Sequence, residues 1–151
     1  MEMLATDCIL EELKSDNKRD VLRELVGPFI RTYRNLDSES MVNVLSEREK
    51  LGSTGIGDGI AIPHGKIIGL DQLVLSFGRS MTGINFDAMD GKPAHLFFLL
   101  VAPENSAGQH LKALAKISKM LKDGFFRTKL MAAASRDELR RIIASQDDLI
   151  S

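Results

Sequence analysis

Three side chains in this sequence are suited to handling an anionic oxygen: His64, His110 and Arg48. An imidazole with a free lone pair is a competent nucleophile toward phosphorus, and a guanidinium offers paired donors to the oxygens of the group being moved. His64 closes the run Gly52-Ser53-Thr54-Gly55-Ile56-Gly57-Asp58-Gly59-Ile60-Ala61-Ile62-Pro63-His64-Gly65-Lys66. The glycines remove side-chain bulk and permit positive φ, so backbone N–H groups can come close to a bound group. Pro63 fixes φ just before His64 and donates no hydrogen bond. These residues place His64 at a strand end facing a glycine-lined hollow, and the ligand they suit is a phosphoryl group.

Each candidate also has an ordinary structural reading. A histidine on a helical stripe, such as His110, is commonly a hydrogen-bonded core residue, and Arg48 can run its stem along an apolar helix face. His95, beside Pro93 at the entrance to an apolar strand, reads as structural. Cys8, followed by Ile9 and Leu10, reads as a small buried hydrophobe. Other chemistries fit poorly. No G-x-x-x-x-G-K-[ST] occurs, and Gly55, Gly57 and Gly59 do not match G-x-G-x-x-G, which disfavours a nucleotide site. Histidines 64, 95 and 110 lack the short spacings of common metal sites, so no metal is expected, with zinc held by ligands distant in sequence as the alternative, and no cofactor is expected. No serine or cysteine lies in a nucleophile elbow, which argues against a hydrolase.

Helices and strands must interleave to hold these residues, and their order predicts an α/β or closely mixed fold. Ser15 or Asp16 can cap a helix bearing Val21, Leu22, Leu25 and Val26, which Gly27-Pro28 bends or ends although Phe29 and Ile30 extend its stripe. Asp37 or Ser38 can cap a second helix with Met41, Val44, Leu45, Arg48 and Leu51 on one face, stopped at Gly52. Strands are predicted at Ile60–Ile62, Leu73–Phe77 and Ile84–Phe86, with a turn at Asp90-Gly91 before Ala94–Val101. The run Leu96–Val101 is apolar on both faces, as a central strand covered by helices would be. Ser106 with Gln109 has capping-box spacing for a helix that buries His110, Leu114, Ile117 and Leu121, and Ser135 with Glu138 opens a last helix with Leu139, Ile142 and Ile143 inward.

The whole chain, residues 1–151, is read as one domain large enough for a real core, with 44% apolar residues and no apolar run long enough to span a bilayer. Lys plus Arg total 20 against 21 for Asp plus Glu, a net charge of −1, which leaves no basic excess for nucleic acid or an anionic membrane. The single cysteine excludes an intrachain disulfide and, with no signal peptide at the start, points to the cytoplasm.

The longer run Arg48-Glu49-Lys50-Leu51 continuing through Gly52 to Lys66 resembles the signature of the enzyme IIA proteins of the fructose, mannitol and nitrogen-regulatory class in the bacterial phosphoenolpyruvate-dependent phosphotransferase system. The likeness continues more loosely through Asp90–Leu96, His110-Leu111-Lys112 and Ser135–Leu139. It implies an α/β sandwich with a mixed, mostly five-stranded sheet between helices. It also implies that His64 is phosphorylated by a small phosphohistidine carrier protein and, in sugar-transporting members, passes the group to a cysteine of an enzyme IIB. Arg48 matches the arginine that balances phosphoryl charge, and His110 the second histidine beside the active one. Asp58 falls where members carry Glu, Asp or Asn, and with Gly57, Gly59 and Gly65 it completes the expected binding set. The spelling is most similar to the nitrogen-regulatory branch, with a sugar-specific component as the alternative. A non-catalytic module binding an anion or peptide is the reading from another class.

Overall fold

A computed structural model describes residues 8–150. In chain order its elements are β1 (Ile9–Leu10), α1 (Lys18–Thr32), α2 (Ser38–Lys50), β2 (Gly55–Gly57), β3 (Ile60–Ala61), β4 (His64–Lys66), β5 (Val74–Ile84), β6 (Ala94–Ala102), α3 (Ala107–Leu121), α4 (Gly124–Ala132) and α5 (Arg136–Ile150). The strands form one mixed sheet in the order β1-β5-β6-β3-β2, with β4 also on β6. β3 and β4 lie in a single column, both parallel to β6, Ile60 opposite Leu96 and His64 opposite Leu100. Six strands therefore occupy the five positions that the family resemblance implies. Pro63 causes the break, because it has no N–H for the ladder, although its carbonyl still accepts from the Leu100 N–H at 3.0 Å.

Helices α1 and α2 cover one face of the sheet, and α3, α4 and α5 the other. Alternation along β5 makes the division visible. Ser76 Oγ donates to the Leu25 carbonyl of α1, and Gly78 lies so close to Leu13 and Leu25 that a Cβ would sit 2.9 Å from each. Arg79 points the other way and donates to the carbonyls of Leu130 and Ala133 at the end of α4. Every residue of β6 from Leu96 to Ala102 is buried, as a strand sandwiched between helix layers requires. Each such leucine or phenylalanine contributes about 1.5–3 kcal/mol by leaving water.

The local reading of the sequence needs several corrections. Asn17, not Ser15 or Asp16, caps α1, its side chain accepting from the Asp20 N–H, while the Glu24 carboxylate takes the N–H groups of Lys14 and Ser15. Gly27-Pro28 does not end that helix. Burial of Pro28 and Phe29 carries it to Thr32, whose hydroxyl donates to the Pro28 carbonyl. In α2 the buried stripe is Met41, Val42, Leu45 and Glu49, leaving Val44 and Leu51 exposed. The two strands expected at Leu73–Phe77 and Ile84–Phe86 are one long β5 whose register shifts between Arg79 and Ile84. Ser106 does not form a capping box, because its hydroxyl donates instead to the Pro103 carbonyl. Ser135 and Glu138 do cap α5.

Candidate functional site

His64 begins β4 and is half-buried at the open edge of the column that β4 shares with β3. Its Nδ1 lies 2.8 Å from the carbonyl oxygen of Ile62. A carbonyl only accepts, so Nδ1 carries the proton and donates, and the lone pair is left on Nε2. The backbone thus fixes both the ring's tautomer and the nitrogen available as a nucleophile.

His110 is the fourth residue of α3, its backbone N–H bonded to the Ser106 carbonyl. Its ring meets that of His64 edge-on, with centroids 5.5 Å apart and planes at 74°. The side chain is only 8% exposed, and its Nε2 has no hydrogen-bond partner among the described residues. Burial lowers its pKa from the usual histidine value, and electrostatic repulsion from His64 and Lys66 pushes the same way. It is therefore a neutral imidazole at neutral pH. A buried polar atom without a partner costs about 1–3 kcal/mol, which an incoming phosphoryl oxygen would recover if Nε2 carries the proton.

Gly65 turns toward the opposite face, where a Cβ would lie 3.3 Å from Leu45 and 3.5 Å from Val44 of α2. Its role is to let α2 close on β4. Arg48 follows one turn after Val44 on the same helix and is half-buried, and its Nη1 donates to the Gly52 carbonyl at 2.9 Å. In this state the guanidinium caps the end of α2, with its other N–H groups available.

Gly57, Asp58 and Gly59 are set apart from His64. Gly57 pairs with Ile60 across a two-residue turn in which Asp58 (φ 56°) and Gly59 (φ 78°) both adopt the left-handed conformation. That is the Asp-Gly hairpin turn whose twist matches antiparallel strands. The Asp90 carboxylate accepts from the Asp58 N–H at 3.2 Å, and the Gly59 carbonyl takes the N–H groups of His95 and Leu96. The hairpin lies level with Leu96 while His64 lies level with Leu100, roughly 13 Å further along the sheet. The glycines therefore build a turn rather than a hollow around His64, and the Asp58-Gly59 pair was the signal for it. His95 belongs to this far end, its Nδ1 2.9 Å from the Ser80 carbonyl.

Glu49, a residue with no role in the sequence reading, does support the site. Its buried carboxylate accepts from the Thr54 N–H and hydroxyl and pairs with Lys18 at 3.1 Å. Thr54 in turn accepts the Ile62 N–H at 3.0 Å, so the end of α2 is tied through Thr54 to the residue whose carbonyl orients His64. Only its placement as the one acid on the buried stripe of α2 distinguishes it, a pattern visible once the true face is known. Among the described residues no group of three or more His, Cys, Asp and Glu could hold a metal ion, and no helix is long and apolar enough to cross a membrane.

The family model described as "Phosphoenolpyruvate-dependent sugar phosphotransferase system, EIIA 2" matches residues 2–146. A nitrogen regulatory protein of Bradyrhizobium diazoefficiens is 38% identical over 143 residues, covering 95% of this chain and 93% of its own. The fructose-specific EIIABC component of Bacillus subtilis is 35% identical over 146 residues, 97% of this chain but 23% of that longer protein. Among solved structures, the nitrogen regulatory protein IIA-Ntr of Neisseria meningitidis superimposes with a TM-score of 0.88 at 37% identity, covering 94% of this chain and 97% of that one. Matched along nearly its whole length in sequence and in fold, the chain belongs to the EIIA 2 family of the phosphoenolpyruvate-dependent phosphotransferase system.

Proposed function

We propose that this phosphotransferase-system protein accepts a phosphoryl group on Nε2 of His64 from the phosphohistidine of a small carrier protein, in the manner of a nitrogen-regulatory enzyme IIA. The observation that carries the reading is the pairing of a nucleophilic Nε2 on His64 with the buried, unpartnered Nε2 of His110 beside it. In the step itself the Nε2 lone pair forms the new N–P bond as the donor's N–P bond breaks, and the donor imidazole leaves with that electron pair. Such a transfer is loose and in line, so the protein's task is to position the groups and meet the charge on the equatorial oxygens. No proton need move: Nδ1 keeps its hydrogen, and the Ile62 carbonyl stabilises the positive charge that the ring acquires.

His110 meets one oxygen through Nε2–H, and Arg48 turns its free N–H groups to another. Asp58, Gly57 and Gly59 have no direct part in this scheme, and Gly65 serves it by admitting α2. Identity to a nitrogen regulatory protein over most of both chains supports a signalling role in which the phosphorylated and free forms engage different partners. The likeness to a fructose-specific EIIABC component supports a second reading, onward transfer to an enzyme IIB.

The test is to mix the protein with phosphoenolpyruvate, enzyme I and the carrier, and to locate acid-labile phosphate by mass spectrometry. Label is expected on His64 and absent from His64→Ala. Arg48→Ala and His110→Ala should slow transfer about ten- to a thousandfold, the range for losing one transition-state donor. Full labelling of His64→Ala, or label on His110, would overturn the assignment. Passing the labelled protein to a fructose-type enzyme IIB separates the second reading from the first.

A further inference from the structure

We infer that Lys66 is a further phosphoryl-binding residue of this site, holding charge on the group attached to His64 and so setting how far phosphate partitions onto this chain. The inference rests on the reading of His64 as the phosphorylated residue. Strand geometry is its first support. Along β4 side chains alternate, so His64 and Lys66 share a face, while Gly65 between them is turned to Leu45 and Val44 of α2. Their Cα atoms are about 7 Å apart, a span that a lysine stem covers.

Charge is the second support. The Lys66 ammonium acts on the buried ring of His110, which itself touches His64, so its field extends over the space where a phosphoryl group on His64 Nε2 would lie. Availability is the third. Lys66 is exposed and forms no ion pair among the described residues, whereas Arg48 has one nitrogen committed to the Gly52 carbonyl. Two acids, Glu104 and Asp37, line the groove of about 480 Å³ that Lys66 borders. Asp37 is engaged as the cap of α2 through the Ser40 N–H, Glu104 is exposed to water, and neither forms an ion pair with Lys66.

A hydrated ammonium at an open strand edge is a point charge with three rotatable donors, suited to an oxygen whose position shifts during transfer. Because it is present before, during and after transfer, its main effect falls on the stability of the phosphorylated form. Arg48 and His110 instead are expected to act most on the rate.

The experiment compares wild type with Lys66→Met, Lys66→Gln and Lys66→Arg. Lys66 is solvent-exposed, so all should fold with unchanged thermal midpoints. Phosphoryl exchange with the phosphorylated carrier should reach an equilibrium about three- to thirtyfold less favourable to Lys66→Met and Lys66→Gln, the scale of one partly solvated charge-assisted contact, with Lys66→Arg recovering most of it. A partner-free measurement accompanies it: each protein is phosphorylated with phosphoramidate and its 31P resonance titrated with pH. Loss of the nearby cation should raise the last ionisation of the phosphoryl group in the Met and Gln variants and leave it low in the Arg variant. An exchange equilibrium within twofold of wild type together with an unchanged 31P titration would overturn the role of Lys66. If the wild type carries its phosphate elsewhere than His64, the site reading itself falls and the inference with it.

Discussion

The Nδ1 of His64 and the carbonyl oxygen of Ile62 lie 2.8 Å apart, a contact between the first side chain of β4 and the backbone two residues before it, in the break between β3 and β4. Pro63 stands between them and restricts the backbone there by fixing its own φ. Nδ1 is thereby both protonated and shielded, so phosphorylation is expected on Nε2. Long-range 1H–15N correlation on the phosphorylated protein distinguishes the two ring nitrogens, and phosphate coupled to Nδ1 would contradict the geometry.

Burial, with electrostatic repulsion from His64 and Lys66, holds the His110 pKa below its ordinary value of 6.5. Between that lowered value and about 6.5 the unfolded chain binds a proton that the folded chain refuses, so stability falls as pH falls through this window and is unaffected by His110 above it. Denaturant unfolding at pH 8 and pH 5.5 should therefore show a larger loss on acidification for wild type than for His110→Asn. Equal losses in the two proteins would mean that His110 already takes up its proton in the fold as readily as in water.

Sequence order made the sandwich legible because the apolar run of β6, the cap at Asp37 and the Ser135/Glu138 box are local signals that the tertiary structure leaves in force. It misplaced the glycines. Gly57-Asp58-Gly59 and Pro63-His64-Gly65 are close in sequence but lie at different levels of β6, and only the pairing of Ile60 with Leu96 and His64 with Leu100 separates them. The α4 helix was missed because Asp123, its cap, follows directly on the preceding helix and its buried residues are few, Phe126 and Leu130. Glu49 was hidden for a related reason: the face assigned to α2 from Val44 and Leu51 is rotated from the one that packs, since those two residues remain near water.

Glu49 is expected to matter through Thr54 rather than through chemistry. Glu49→Ala leaves the Thr54 N–H and hydroxyl, both buried, without their acceptor and should cost about 1–3 kcal/mol of stability. Because Thr54 also holds the Ile62 N–H, phosphorylation of His64 should slow as well, while Glu49→Gln, which keeps one acceptor, should lose less of both. A Glu49→Ala protein with wild-type unfolding midpoint and labelling rate would show that this tie carries no load.

Partner docking is expected to depend on apolar contact around His64, though not on all the residues that bracket it in sequence. Ile60, Ile62 and Ile67 are buried in the core, whereas Ile68 is 77% exposed, and Val44 at 40% and Leu111 at 67% flank the site from α2 and α3. Val44, Ile68 and Leu111 are therefore the exposed apolar side chains available to a partner here. Small apolar patches of this kind suit complexes that must dissociate after each transfer. Ile68→Glu and Leu111→Glu should raise the carrier concentration needed for half-maximal transfer, by about tenfold each, with little change in the rate at saturation, since both side chains are exposed and neither has a part in the transfer step proposed above. With a net charge of only −1, wild-type transfer should fall only mildly from low to moderate salt. A loss above about tenfold over that range, with both glutamate variants unimpaired, would mean that charge rather than this rim governs the encounter.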